Sequence, residues 1–270
     1  MHPIQNISKL YSPVQPSVLA ENGSGVSYLE YFPHPVIRPF VYRYWQLKTI
    51  QKLDYDFTYR VVADGCIDIL FCLDEPGKSY VAGFAGKYDD VSLGNEFSYI
   101  GMRFFPAMFT QLFSLPAHEL GSGYTDLALA IPGYANYIRR YITPVSSLPF
   151  IFDVLDNYLQ DTIRNSKMKY DGRLYEAVCQ IISSKGNIKM NALGNTGVSP
   201  RQLSRLFLHY IGDTPKAFSK VVRFQGILNL QPTALSLRTS KPYYDLGYTD
   251  QSHFIKEFKA LYGDTPSFAL

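Results

Sequence analysis

A thirteen-residue pattern occurs twice in the last third of the chain. Leu203-Ser204-Arg205-Leu206-Phe207-Leu208-His209-Tyr210-Ile211-Gly212-Asp213-Thr214-Pro215 is echoed by Phe254-Ile255-Lys256-Glu257-Phe258-Lys259-Ala260-Leu261-Tyr262-Gly263-Asp264-Thr265-Pro266. Such a repeat means one supersecondary unit used twice. The shared Gly-Asp-Thr-Pro is helix punctuation. Glycine ends a helix in the left-handed conformation, threonine caps the next one, and proline fills its first position.

In the first copy, 187–197 has room for a short helix and Gly197-Val198 for a tight turn. Ser199-Pro200-Arg201-Gln202 is then a capping box with proline at the first helical position. Leu203, Leu206, Phe207, Tyr210 and Ile211 follow at core spacing, which leaves Arg201, Ser204, Arg205 and Leu208 on the opposite face. Helix, turn and a second helix with a basic face near its start is the shape that enters a DNA major groove. Arginine can grip guanine with two hydrogen bonds, and serine suits donor or acceptor edges. Taken alone, this face is equally that of an ordinary solvated helix. The second copy shifts the balance. Asp245-Leu246-Gly247-Tyr248 is its turn, Asp250 its N-cap, and 251–261 its helix, with Phe254, Phe258 and Leu261 inward. By the repeat offset Arg201, Ser204 and Arg205 correspond to Ser252, Ile255 and Lys256. Ile255 can meet a thymine methyl or simply pack, and His253 can touch phosphate or cap its own helix. Residues 215–230 supply a helix tying the motifs together, with readers roughly 34 Å apart if they enter successive turns of the groove.

Charge fits a polyanion partner. From Asp171 onward twelve Lys and Arg stand against seven Asp and Glu, so the C-terminal part is more basic than the whole chain, at +3. The chain has 270 residues, 46% of them hydrophobic, which suits about two folded domains and excludes disorder. No run of about twenty apolar residues spans a membrane. The start, Met1-His2-Pro3-Ile4-Gln5-Asn6, does not read as a signal peptide. Cys66, Cys72 and Cys179 are odd in number and lack Cys-x-x-Cys spacing, so a reducing cytoplasm is expected, with Cys66 and Cys72 as buried structural thiols on one face of a strand.

Upstream, residues 1 to about 27 are polar and broken by Pro13, Pro16, Gly23 and Gly25, a lead-in with little regular structure. Strand patterns follow at 40–47, 59–62, 66–73, 80–84, 91–93 and 99–104, with a turn at Glu75-Pro76-Gly77-Lys78; a small barrel or sandwich is expected. Helices are expected at 107–115 and from about 149 onward. The fold class is therefore α+β. A β-rich domain over 1–148 is joined by a helical linker, 149–170, to an all-α double helix-turn-helix domain, 171–270.

The stretches 199–207, 212–215, Arg223 and Gly247-Tyr248-Thr249-Asp250-Gln251-Ser252-His253-Phe254-Ile255-Lys256-Glu257-Phe258 resemble the AraC/XylS family of transcription regulators. The resemblance implies a unit reading two adjacent major grooves of double-stranded DNA. It places DNA-binding positions at Arg201, Gln202, Ser204, Arg205, Gln251, Ser252, His253, Ile255 and Lys256. A small residue usual in the family falls near Gly194 in the first motif. In the second it is replaced by Tyr243, beside Pro242, which is tolerable if Ser240 caps that helix. The segments 39–45, 63–68 and 101–106 resemble, more loosely, a sensor-like domain attached to some of these regulators. That implies a β-rich, cupin-like fold. RNA polymerase, a small-molecule effector and a second copy of the chain are the further partners implied.

Other chemistry is unsupported. His2, His34, His118, His209 and His253 show no metal-ligand spacing, and there is no P-loop, dinucleotide fingerprint or Gly-x-Ser-x-Gly. No catalytic residue, metal or cofactor is expected. Asp64 and Asp68 read as turn markers rather than an acid/base pair. The rival reading is an enzyme, of the alkyl-transfer repair or cupin type, fused to a DNA-binding module. It requires an activated cysteine, and the Gly65 and Asp68 around Cys66 argue against one.

Overall fold

The computed structural model describes residues 4–15, 25–166, 168, 170–193 and 197–270. The strands are β1 (Val26–Tyr31), β2 (Val41–Thr49), β3 (Phe57–Val61), β4 (Ile67–Cys72), β5 (Ser79–Ala82), β6 (Asp89–Gly94), β7 (Ser98–Phe104) and a short β8 (Tyr124–Asp126); the six expected strand patterns correspond to β2 to β7, and β1 and β8 were not among them. Six strands make an antiparallel sheet in the order β1-β2-β7-β4-β5-β8, and β3 pairs separately with β6.

The two faces of the large sheet have different fates. Tyr44, Ile67, Ile69, Phe71, Val81, Ile100, Met102 and Phe104 point into the main core. Helices cover them: α2 (Met108–Phe113), the short α3 (Leu127–Ala130), α4 (Pro132–Tyr141) and α5 (Leu148–Asn165). Phe104 meets Phe109 and Phe113 edge-on, and the Tyr134 hydroxyl donates to Met102 Sδ at 3.0 Å. Trp45 and Leu47 lie on the other face with Phe57 and Tyr59 of β3, in a second apolar cluster under the β3–β6 ribbon. The result is a small sandwich closed on one side by helices.

The lead-in departs from expectation. Ile4–Leu10 forms a helix, α1, and Ile7, Tyr11 and Gln15 are buried. Three pieces of chemistry hold this segment. Ile7 and Tyr11 enter the main core, the Tyr11 hydroxyl donates to Asp64 O at 2.6 Å, and Gln15 Nε2 reaches Val62 O at 2.8 Å. Proline-punctuated polarity concealed an apolar i, i+4 pair.

Beyond α5 come α6 (Gly172–Ser183), α7 (Pro200–Tyr210), α8 (Pro215–Asn229), α9 (Ala234–Thr239), α10 (Gln251–Tyr262) and α11 (Pro266–Ala269). The helix expected across 187–197 is reduced. Residues 187–189 are irregular and 190–193 make a tight turn, while Gly194 lies outside the described residues. Apolar packing is continuous from the sheet into these helices: α5 buries Ile151, Leu155 and Leu159, and α8 buries Phe218, Val221, Val222 and Phe224 in the same core.

Gly101 on β7 sits directly under the Trp45 indole, so a methyl group there collides with the ring. Gly101→Ala is expected to cost about 1–3 kcal/mol, as overpacking does. It should also shift the emission of the single tryptophan, and a thermal melt followed by fluorescence checks both.

Candidate nucleic-acid interface and sheet cavity

The first candidate reader is α7. Ser199 caps it as the sequence requires: its hydroxyl accepts from Gln202 N at 3.3 Å, and Gln202 Oε1 accepts from Ser199 N at 3.0 Å. Leu203 and Phe207 are buried, Arg201 and Arg205 are exposed, and Ser204 is half-buried. Gln202 is exposed too, but its carbonyl oxygen is committed to the cap, leaving only its amide NH2 for a ligand.

The second candidate reader is α10. Asp250 caps it, its Oδ1 accepting from His253 N at 2.8 Å. Gln251, Ser252 and Lys256 are exposed. Ile255 packs against the core edge. His253 is engaged at home, with Nδ1 3.2 Å from the Thr249 hydroxyl and Nε2 3.7 Å from Glu257. Among the described residues Arg201, Arg205 and Lys256 have no ion-pair partner.

Ahead of α10 the second motif differs from its expected form. Residues 242–247 are successive turns rather than a helix, and Ser240 is the C-cap of α9, not an N-cap. Tyr243 explains how the motif still packs. Its ring is 1% exposed and stacks on Phe254 at 4.6 Å, nearly parallel at 7°. A large aromatic fills the space that a helix with a small residue there would occupy. Arg223 of α8 then locks α8 to α10. Its Nη2 donates to both Glu257 oxygens at 2.9 Å, and its guanidinium lies 4.6 Å from the Tyr248 ring centre.

Both Gly-Asp-Thr-Pro corners touch the sheet domain. Gly212 (φ +105°) lies so close that a β-carbon would stand 2.9 Å from Phe84 Cβ, and Gly263 (φ +102°) lies equally close to Arg60 Cζ. Only glycine adopts this conformation at such proximity without strain. Asp264 pairs with Arg60 at 3.0 Å. Thr214 caps α8 at Ala217 N, whereas Thr265 makes no side-chain cap to α11. Each reader is therefore held by its C-terminal end, and its N-terminal turns face outward.

A cavity of about 310 Å³ opens between the large sheet and the β3–β6 ribbon. At its polar end is Arg103, 3% exposed, the direct cross-strand partner of Asp68. Arg103 donates to Asp68 through Nε (3.2 Å) and Nη2 (3.1 Å), and its Nε lies 3.1 Å from Asp64 Oδ2. Trp45 Nε1 donates to Asp68 Oδ2 at 2.9 Å. Burial pushes the Asp68 carboxyl up to about 6 although Arg103 opposes the shift. Asp64 does form a turn, accepting from Cys66 N at 2.9 Å, but Asp68 is an ion-pair partner inside a strand, which the sequence reading missed. A signal was there: Trp45, Asp64, Asp68, Gly101 and Arg103 all lie in the three segments that carried the looser resemblance. Burial and the nearby Asp64 raise the Cys66 thiol well above its ordinary range, away from thiolate chemistry.

Two family models match the chain: a helix-turn-helix domain over residues 194–269 and a domain of unknown function (DUF6597) over 29–126. The helix-turn-helix match falls on α7 to α11, the part of the chain that holds the repeat. Among solved structures the chain is similar to ToxT of Vibrio cholerae. An apo variant from strain SCE256 is 14% identical, covering 92% of this chain and 97% of that one, with a TM-score of 0.40. ToxT from strain O395 is 15% identical, covering 91% and 96%, with a TM-score of 0.39. No curated protein matches the sequence. Among the described residues no helix of the chain is long and apolar enough to cross a membrane.

The Arg223–Glu257 pair is mostly buried, with side chains 14% and 9% exposed. Glu257→Ala strands the guanidinium and is expected to destabilise the protein by about 3 kcal/mol. Thermal unfolding of the full chain measures this; an unchanged transition contradicts the assigned role of the pair.

Proposed function

We propose that this protein is an AraC-type transcription regulator that reads two adjacent major grooves with the N-terminal turns of α7 and α10, and that a small effector in the sheet cavity modulates the reading. The exposed, unpaired Arg201 and Arg205 at a proline-started helix end carry the proposal. A recognition helix contacts base edges with its first turns, and these are the turns the sheet domain leaves free. Residues 171–270 act as the DNA-binding part and 1–148 as the effector part, with 149–170 between them. The regulator works in the cytoplasm beside RNA polymerase. The cavity favours a small-molecule effector over self-association as the input.

The route from cavity to readers is short. Asp64 pairs with Arg103 at the cavity, and its neighbour Ala63 accepts from Gln225 of α8 at 2.8 Å and donates to Leu261 O of α10 at 3.3 Å. A ligand that moves residues 62–65 moves the support of both motifs.

Arg205 has the bidentate fork and Lys256, its counterpart, only a point charge. The first motif therefore carries more of the base specificity and the second more of the backbone affinity. Arg205→Ala is expected to cost about 1–3 kcal/mol at the selected site and to relax preference at one base pair. Lys256→Ala should weaken all sequences alike and make the salt slope shallower by about one. Both should keep the melting temperature. Binding to the selected site and its single-base variants across a salt series tests this. If Lys256→Ala alone altered base preference, the roles would be reversed.

A further inference from the structure

The cavity walls combine two chemistries. Trp45, Tyr59, Tyr80, Tyr99 and Tyr124 supply aromatic surface, and the charged lining is Asp64, Asp68, Asp89 and Arg103. The single cation does not balance the carboxylates. Asp64 and Asp68 already hold Arg103 at 3.1 Å each, and Glu30 adds a third carboxylate 3.9 Å from its Nη1. An anion entering here meets surplus negative charge in a low-dielectric space. A cation meets carboxylates and the electron-rich faces of aromatic rings. One polar group is left over: Arg103 is buried, lines the cavity, and its Nη1 has no hydrogen-bond acceptor. A buried donor without a partner is costly, so an acceptor oxygen on a ligand is favoured there.

We infer that the cavity takes a compact organic cation that also carries a hydrogen-bond-accepting oxygen. This rests on reading the cavity as the effector site. The cation sits among the tyrosines and the carboxylates, and the oxygen reaches Arg103. Binding is linked to protons through Asp68, whose carboxyl is faced by Arg103 of β7, Trp45 of β2, Tyr124 of β8, and Asp64 and Cys66 of the preceding turn, with Glu30 of β1 beyond, 3.9 Å from Arg103 Nη1. Burial raises it to about 6, so above that pH it is ionised and attracts the cation. As pH falls through 6 it takes up a proton and the attraction is lost.

The chain has one tryptophan, Trp45, and it forms a wall of the cavity, so its fluorescence reports occupancy directly. Titration of the full-length protein with acetylcholine, its uncharged isostere 3,3-dimethylbutyl acetate and benzoate is the test. Acetylcholine is expected to bind saturably and about tenfold or more tighter than the isostere, and to weaken from pH 7.5 to pH 5. Asp89→Asn, at the exposed rim, should reduce acetylcholine affinity severalfold and leave the isostere unchanged. Tighter binding of benzoate, equal binding of the isosteric pair, or no response to any probe by folded protein overturns the inference. DNA binding measured in parallel separates the two readings: retained DNA binding with a failed titration removes only the ligand assignment.

Discussion

A guanidinium in the middle of a buried strand must be paired, and much of this fold follows from satisfying Arg103. Its charge is tolerable there only because Asp68 faces it across the ladder and the turn at Asp64 brings in a second carboxylate. That turn has further obligations. Asp64 Oδ2 accepts from Gln15, Asp64 O from Tyr11, and the adjacent Val62 exchanges hydrogen bonds with the Gln15 side chain. The N-terminal segment is therefore pinned against the sheet by the same few residues that close the cavity's polar end. Gln225 of α8, one of the few fully buried amides, completes the arrangement by bonding Ala63 O and the backbone of Val14. One buried charge thus ties four separate segments together.

The repeated corner has a double use that its sequence only half expresses. Gly-Asp-Thr-Pro is good helix punctuation, and in both copies the glycine adopts the left-handed conformation. It also makes the corner thin enough for the sheet domain to approach, against Phe84 in one case and Arg60 in the other. Phe84 lies just after β5, beside the cavity-lining Gly83 and Ala85, and Arg60 lies on β3, beside Tyr59. The two motifs are thus anchored on opposite borders of the same cavity.

How legible this was depends on the range of the interaction. The capping box at Ser199, the Asp250 cap, the span of α8 and six of the strands follow from local rules of periodicity and capping, and these were readable. The missed elements share one feature: their reasons are distant in sequence. Helix α1 forms in a polar, proline-broken segment because Ile7 and Tyr11 find a core far along the chain. The turns at 242–247 replace a helix because Tyr243 fills the space over Phe254. Asp68 was read as a turn residue because its partner, Arg103, is 35 positions away. The exposure of Arg201 and Arg205 was legible because a solvent-facing, unpaired side chain has no distant partner to conceal.

The anchoring of both readers by their C-terminal ends constrains how any signal can act. The N-terminal turns of α7 and α10 are not covered by the sheet domain, so a bound effector has nothing to uncover. It can only change the relative placement of the two helices. The Arg223–Glu257 pair and the Phe224–Phe258 contact join α8 to α10, whereas α7 meets α8 through the Phe207–Phe218 contact and the Gly212–Pro215 corner, with no ion pair between them among the described residues. The more compliant joint is therefore the first, where Gly212 rests on Phe84 next to the cavity. A shift there reorients α7 relative to α10. If the two helices enter successive turns of one duplex, as proposed, they tolerate little change in angle, and a small displacement at Phe84 is enough to separate a DNA-competent arrangement from an incompetent one.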